Sequence, residues 1–186
     1  MRKTLAAALV AASLLTLAAC GNEDDSGSAA GHNDADVAFA QQMIPHHQQA
    51  IEMAQLAETR AQSPDVKDLA ADIEAAQDPE IETMTGWLDS WGEEAPGEGG
   101  HGEHDMSSDD MAGMMTEEEM ADLEGSSGSA FDQVFLTMMI EHHQGAIEMA
   151  QTEQAEGEFP DALAMAEQIE SAQTEEIQTM QELLKP

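Results

Sequence analysis

The chain has 186 residues, of which 39 are acidic and only five are Lys or Arg, so its formal net charge is −34 at pH 7. A chain this acidic repels the phosphate backbone, which excludes nucleic acid as a partner. Its single cysteine excludes an intrachain disulfide, and the absence of tyrosine excludes a tyrosine radical. The sequence also lacks a glycine-rich phosphate loop before a helix and a serine nucleophile motif.

The first residues predict export with a lipid anchor. Arg2 and Lys3 precede an apolar run from Leu5 to Leu17, which is too short to span a bilayer and is typical of a signal peptide. The run ends in Leu-Ala-Ala before Cys20, the pattern at which lipoprotein signal peptidases cut and leave a lipidated cysteine. We therefore predict a signal peptide at residues 1–19 and lipidation of Cys20.

Residues 20–33 predict a flexible tether, because they consist mainly of Gly, Ser, Asn and acidic residues with little apolar surface to bury. A lipid on Cys20 would hold the folded part at the extracytoplasmic face of the cell membrane. The predicted location is therefore membrane-bound through the lipid and outside the cytoplasm.

The folded part is an internal duplication. At an offset of 96 residues, Phe39 to Leu88 aligns without a gap to Phe135 to Leu184, and 24 of the 50 positions are identical. The identities form two blocks in each copy, which predicts two structural elements per copy. The predicted boundaries are residues 34–186 for the domain, 36–90 for the first repeat, 92–129 for the connecting segment and 130–185 for the second repeat.

Both elements have the period of an α-helix. In the first element the predicted buried face carries Phe39, Met43, His46, His47, Ala50, Met53, Ala54 and Ala57. In the second it carries Leu69, Ile73, Ala76, Gln77, Glu80, Met84 and Trp87. Two tandem hairpins that cannot bury these faces alone predict an all-α fold, a four-helix bundle with pseudo-twofold symmetry.

Local signals set the predicted helix ends. Ser63 before a proline predicts the start of the second helix, and Pro160 repeats the pattern. Pro45 lies within the first helical pattern, so we expect either a kink there or a helix that starts near Gln42. The capping-box pattern from Thr116 predicts a short helix from Glu117 to about Glu124.

A histidine pair preceded by methionine occurs once in each repeat and predicts a metal site. Imidazole and thioether groups on adjacent helical turns form a soft ligand set, which selects Cu(I) and the related Ag(I). The predicted ligands are Met43, His46, His47, Met139, His142 and His143. Met53, Met84, Met149 and Met180 are further candidates that also fit as core filler, and structural histidines remain the alternative.

Two glutamates on the second helices leave the metal chemistry open. Glu80 and Glu176 fall on the buried stripes, where they could orient a histidine as hydrogen-bond partners or serve a carboxylate-bridged site of iron or manganese. The Glu-x-x-His pattern of such sites is absent from these helices and occurs only as Glu98 to His101 in the connecting segment.

The connecting segment contains a second group of soft ligands. Flexible segments rich in His and Met can collect metal ions, although composition alone also fits a solvated linker. The candidate ligands are His101, His104, Met106, Met111, Met114 and Met115.

The motif Phe-x-x-x-Met-Ile-x-His-His-x-x-Ala-x-x-Met-Ala, found at residues 39–54 and 135–150, resembles the bacterial family called domain of unknown function 305. The resemblance extends roughly from residue 36 to 184. It implies a ferritin-like four-helix bundle, commonly exported, with members that bind copper and silver through Met and His. Carried over by position, it nominates Met43, His46, His47, Met53, Met139, His142, His143 and Met149. The chain departs from the family in Pro45 and in its long acidic connecting segment.

Together these patterns predict a non-enzymatic, lipid-anchored protein that captures Cu(I) outside the membrane for buffering, resistance or delivery. Its predicted partners are metal ions and the membrane. The alternatives are a ferritin-like di-metal oxidase that uses Glu80 and Glu176, and a structural bundle of the cell envelope that binds no metal.

Overall fold

The computed structural model describes residues 31–97 and 111–185. This part of the chain is helical and contains no strand, only one isolated bridge between Ala61 and Gly128. The helices are α1 (Asp34–Arg60), α2 (Pro64–Trp91), α3 (Glu117–Gly125), α4 (Ser129–Glu156) and α5 (Pro160–Leu183). The predicted all-α class is confirmed. The predicted signal peptide, Cys20, most of the tether, and His101, His104 and Met106 lie outside the described residues.

The helices pack as two hairpins joined through their first members. α1 packs on α2, α4 packs on α5, and α1 packs on α4. Two apolar clusters show that α1 and α4 run antiparallel, since each cluster combines one end of α1 with the opposite end of α4. The Phe39 cluster includes Phe39, Met43, Met84, Leu88, Ala146, Ala150 and Ile169. The Phe135 cluster includes Met53, Ala57, Ile73, Phe131, Phe135, Met139 and Met180.

The predicted buried face of α1 is confirmed at all eight positions. The stripe of α2 is narrower than predicted: Ala76 is exposed, Glu80 and Trp87 are half-buried, and Leu88 is buried instead. The reason is that α2 packs almost entirely against α1 and contacts α5 only slightly. Within the described residues, no helix is both long enough and apolar enough to cross a membrane.

Asn33 sets the start of α1 through a capping box. Its side chain accepts hydrogen bonds from the N–H groups of Ala35 and Asp36, and the Asp36 carboxylate accepts one from the Asn33 N–H. The helix then continues through Pro45, so the expected start near Gln42 is wrong. The predicted short helix is present as α3, with a capping box between Thr116 and Glu119.

Two equivalent aspartates, one in α1 and one in α4, each bind the turn of the other hairpin. The carboxylate of Asp132 in α4 accepts hydrogen bonds of 2.9 and 3.0 Å from the backbone N–H groups of residues 62–63 in the α1–α2 turn. The carboxylate of Asp36 in α1 accepts hydrogen bonds of 3.1 and 2.9 Å from the backbone N–H groups of residues 158–159 in the α4–α5 turn. Ser63 stands at the predicted N-cap of α2, but its side chain makes no capping bond.

Candidate metal centre

A layer of polar side chains separates the two apolar clusters. Each helix of the bundle places its polar members between residues of the Phe39 cluster and residues of the Phe135 cluster. The four histidines are at most 1% exposed, and the two glutamines are 3% exposed. This polar layer consists of His46, His47, Gln77, Glu80, His142, His143, Gln173 and Glu176.

His46 and His142 are equivalent residues of the two repeats, and they meet where α1 crosses α4. Their ring centroids are 3.8 Å apart and the ring planes are inclined by 38°. The polar layer therefore draws on both repeats at their contact, rather than forming one separate site within each hairpin.

The outer histidines are each held by a glutamate of the same hairpin. His47 Nε2 lies 2.7 Å from Glu80 Oε2, and His143 Nε2 lies 2.7 Å from Glu176 Oε2. The glutamate side chains are 23% and 20% exposed, and in each pair the carboxylate oxygen accepts the hydrogen bond. The Nε2–H group must then donate, which leaves Nδ1 as the lone-pair nitrogen of both rings.

His46 is held by a backbone carbonyl instead of a glutamate. Its Nε2 lies 3.3 Å from the carbonyl oxygen of Ala112, which can only accept, so Nε2 carries the proton here too. His142 has no hydrogen-bond partner of good geometry at either ring nitrogen. Equivalent histidines of the two repeats therefore have different surroundings.

Burial keeps the central histidines neutral. It lowers the pKa of His46 to about 3, with help from the neighbouring His47, while the Ala112 carbonyl acts in the opposite direction. Burial likewise lowers the pKa of His142 well below its usual value, with smaller contributions from the other three histidines and a weak opposing one from the His46 backbone. Neutral imidazole is the form that binds metal ions.

The polar layer contains buried atoms that have no hydrogen-bond partner. They are Nδ1 of His46, His47, His142 and His143, Nε2 of His142, and Oε1 of Gln77 and Gln173. Each buried polar atom without a partner destabilises the folded state by about 1–3 kcal/mol. The unpartnered atoms of the polar layer therefore lower the stability of the metal-free protein. Lone pairs on neutral imidazoles fit a cation of intermediate or soft character.

The nominated methionines lie in the apolar clusters on the two sides of this layer. Met43 and Met84 are buried in the Phe39 cluster, and Met149 is half-buried against it. Met53, Met139 and Met180 are buried in the Phe135 cluster. Thioethers are thus available on both sides of the histidines, which favours a soft cation.

Histidines and carboxylates alone do not provide a complete metal site. Across residues 31–97 and 111–185, no group of three or more His, Cys, Asp or Glu is arranged to hold an ion. This includes the four histidines, so an ion in the polar layer would also need thioether ligands. Glu80 and Glu176 instead make the histidine hydrogen bonds described above, which is the alternative to a bridging role.

The end of the connecting segment lies directly over the layer. The strap, residues 112–115, is fixed to α1 because Gln49 accepts from the Met115 N–H at 2.7 Å and donates to the Met115 carbonyl at 2.8 Å. Met115 is buried in the Phe135 cluster, whereas Met111 and Met114 are half-buried. Sequence reasoning missed the contact between Ala112 and His46.

The protein is thus a duplicated all-α bundle. Each half carries a buried histidine pair, and a polar layer lies where the two halves meet. The chain matches the family described as Domain of unknown function (DUF305) over residues 36–184, and it belongs to that family.

Solved structures of the family have the same fold. A DUF305 protein from Streptomyces coelicolor, described as secreted, is 32% identical with a TM-score of 0.73 over 81% of this chain and 91% of its own. A DUF305 fragment from Deinococcus radiodurans is 34% identical with a TM-score of 0.71 over 83% and 97%. CopM in its Cu(I)-bound form is 29% identical with a TM-score of 0.64 over 80% and 94%. No curated protein matches the chain.

Proposed function

We propose that this protein binds Cu(I), and Ag(I) as its analogue, in the polar layer, and that it does so outside the cytoplasm for copper buffering, resistance or delivery. The observation that carries the proposal is the set of buried imidazole nitrogens without partners. CopM supports the choice of metal, since structures of that relative contain Cu(I), Cu(II) or Ag.

The donor atoms favour a soft monovalent cation. Neutral imidazole nitrogens and thioethers suit Cu(I), whereas calcium, magnesium and manganese prefer oxygen ligands. The residues that would hold the ion are His46, His47, His142 and His143 with Met43 and Met139. Met53 and Met149 are further candidates from their positions in the repeats.

Glu80 and Glu176 would act through the histidines. Each carboxylate accepts a hydrogen bond from a ring Nε2–H, which fixes the tautomer and directs the free Nδ1 lone pair. A similar carboxylate–histidine arrangement raises ligand basicity in known metal sites. We therefore assign both glutamates to orienting the ligands and not to a bridged di-metal site, and we propose no catalytic activity.

The proposed location rests on the N-terminal sequence and on a relative. The pattern before Cys20 favours a lipid anchor after export, and the Streptomyces coelicolor relative is described as secreted. The surplus of acidic residues would attract cations to the surface of such a protein.

A titration with matched histidine variants tests the function. Cu(I) affinity is measured on the full chain against a competing chelator, with Cys20→Ser in every sample so that no thiol competes. We expect His46→Gln combined with His142→Gln to weaken binding by at least about 100-fold. The matched control, Gln48→Ala with Gln144→Ala, changes two exposed residues at equivalent positions of the same helices.

The fold of each variant is checked by far-UV circular dichroism before the affinities are compared. The control is expected to retain an affinity within about threefold of the parent, because a change of that size is below 1 kcal/mol. Unchanged Cu(I) affinity in a folded His46/His142 double variant would contradict the proposal.

A further inference from the structure

The strap breaks the symmetry of the polar layer at one pair of equivalent positions. Gln49 in α1 and Gly145 in α4 are related by the 96-residue offset. Gln49 binds both backbone groups of Met115, whereas Gly145 lies beneath the strap at Ala112. The first repeat therefore binds the strap through Gln49, whereas the second accommodates it because Gly145 has no side chain.

The fit of the strap on α4 is tight. A Cβ atom at Gly145 would lie 1.9 Å from the Ala112 carbonyl oxygen, which real Cβ contacts do not allow. Gly113 has φ +78°, and a Cβ there would lie 2.7 Å from the Glu141 carbonyl oxygen. Two glycines thus bring the strap backbone directly onto α4.

This close approach places the Ala112 carbonyl where it accepts from His46 Nε2. The equivalent ring, His142, has both nitrogens without a partner of good geometry. Within the described residues, the His46 backbone approaches His142, but no carbonyl meets a His142 nitrogen with the hydrogen-bond geometry that Ala112 has at His46.

We propose that the strap is a positioning element that makes the two repeats unequal as metal ligands, because it restricts His46 to binding through Nδ1 and leaves His142 able to bind through Nε2. The inference rests on the proposed function for the identity of the ligand, a soft monovalent cation. The tautomer of His46 follows from the strap alone, with or without a metal.

The consequence for the binding site is a difference in reach. Nδ1 lies next to the Cβ side of the ring and Nε2 lies at the far end, so the two nitrogens place an ion at different distances from the helix axis. The rings of His46 and His142 lie against one another at a tilt. If they bind through different nitrogens, they can hold an ion at different positions in the polar layer.

The test is nitrogen-15 NMR of the histidine rings in the full chain carrying Cys20→Ser, first without metal and then with Ag(I). Without metal, the parent is expected to show His46 only as the Nε2–H tautomer. Gly145→Ala and Gln49→Ala both loosen the strap and should give a mixture of tautomers at His46, while His47 and His143 stay unchanged because their glutamates remain. Gln48→Ala, an exposed neighbour of Gln49, is the matched control and should change nothing.

With Ag(I), the parent should show coupling to silver at Nδ1 of His46 and at Nε2 of His142, and Gly145→Ala should show coupling at either nitrogen of His46. A parent His46 protonated at Nδ1, or a His46 tautomer unaffected by both strap variants, would overturn the inference. If no histidine couples to silver, the proposed function fails, and the metal-free tautomers still decide the role of the strap. Gln49→Ala carries the test if Gly145→Ala does not fold.

Discussion

The carboxyl group of Glu153 lies beside that of Asp36 in the protein interior, where the two residues are 1% and 0% exposed. Neither Glu153 oxygen has a hydrogen-bond partner of good geometry. Two carboxylates in contact cannot both ionise cheaply, so one keeps its proton. Burial raises the pKa of Glu153 to about 8, and Asp36 adds to this effect. Burial alone would raise the pKa of Asp36, but the neighbouring Glu153 carboxyl and the hydrogen bonds from three backbone N–H groups lower it. Glu153 is thus the member of the pair that keeps the proton.

This pair predicts a loss of stability at alkaline pH. The folded protein holds the Glu153 proton more tightly than the unfolded chain, so the stabilisation is complete below about pH 4.5 and is lost as the pH rises through about 8. Glu153→Gln places a neutral amide, which does not titrate, beside Asp36. At pH 9 we expect the variant to be about 1–3 kcal/mol more stable than the parent, with a smaller difference at pH 6.

Urea denaturation at pH 6 and pH 9 measures this difference. Glu148→Gln changes an exposed glutamate of the same helix and serves as the control, for which we expect no comparable pH effect. A Glu153→Gln variant that loses as much stability as the parent between the two pH values would be inconsistent with a proton held on Glu153.

The equivalent contact in the other half predicts a simpler effect. Asp132 binds the two N–H groups of residues 62–63, but residue 57, the position equivalent to 153, is alanine. Asp132→Ala should leave both N–H groups without this acceptor and destabilise the protein by about 1–2 kcal/mol. Its effect should not depend on pH between 6 and 9. Asp34→Ala, an exposed acid in the first turn of α1, is the matched control in the same urea experiment, and an equal loss there would contradict the prediction.

Removing the glutamates that orient the outer histidines should weaken metal binding without removing a proposed ligand. Glu80→Ala combined with Glu176→Ala frees the Nε2–H groups of His47 and His143, so their rings lose a fixed orientation. We expect Cu(I) affinity to fall by about 10–100-fold in the chelator competition. Glu82→Ala with Glu175→Ala removes two exposed acids from the same helices and should retain the parent affinity. Equal losses in both double variants would show a general charge effect instead.

His142→Leu should make the metal-free protein more stable. The His142 ring is 1% exposed and leaves both nitrogens without a good partner, so an apolar side chain of similar size removes an unfavourable burial. We expect a gain of about 1–3 kcal/mol. His46→Leu should gain less, because it leaves the Ala112 carbonyl without its donor. Thermal unfolding without metal ranks the three proteins, and a His142→Leu variant less stable than His46→Leu would refute this ordering.

Adding Ag(I) to the same samples links stability to function. A ligand that binds the folded state at 100 times its dissociation constant stabilises it by about 2.7 kcal/mol. The parent should therefore show a higher Tm with Ag(I), and His142→Leu should show a smaller increase. An equal increase in Tm for the parent and the variant would place the ion elsewhere.

The helices and the inward histidines could be predicted because both depend on local periodicity. Met43, His46, His47 and Ala50 recur on one helical face in both repeats, and the structure buries them with their counterparts. The helical period also predicts that Ala76 is buried, which is wrong, because periodicity does not reveal that α2 has only one main neighbour. Pro45 suggested a late helix start, whereas the capping box at Asn33 sets the start much earlier.

The contacts that make the two repeats unequal required the tertiary structure. The Ala112 carbonyl reaches His46 across 66 positions of the chain, through a segment with no equivalent in the repeat. Glu153 and Gly145 differ from their counterparts Ala57 and Gln49, but 26 of the 50 aligned positions differ, and the alignment does not single these two out. It does not show that the first lies beside Asp36 and that the second admits the strap.

The position of the polar layer at the contact of the two hairpins has a consequence for the origin of the protein. Two separate copies of a single hairpin would form this layer as a homodimer, in which every change in one half is repeated in the other. Covalent fusion removes that constraint, because each half can then acquire substitutions alone. Glu153 beside Asp36 and Gly145 beneath the strap are such one-sided substitutions, and a homodimer of identical hairpins could not carry either of them in one half alone.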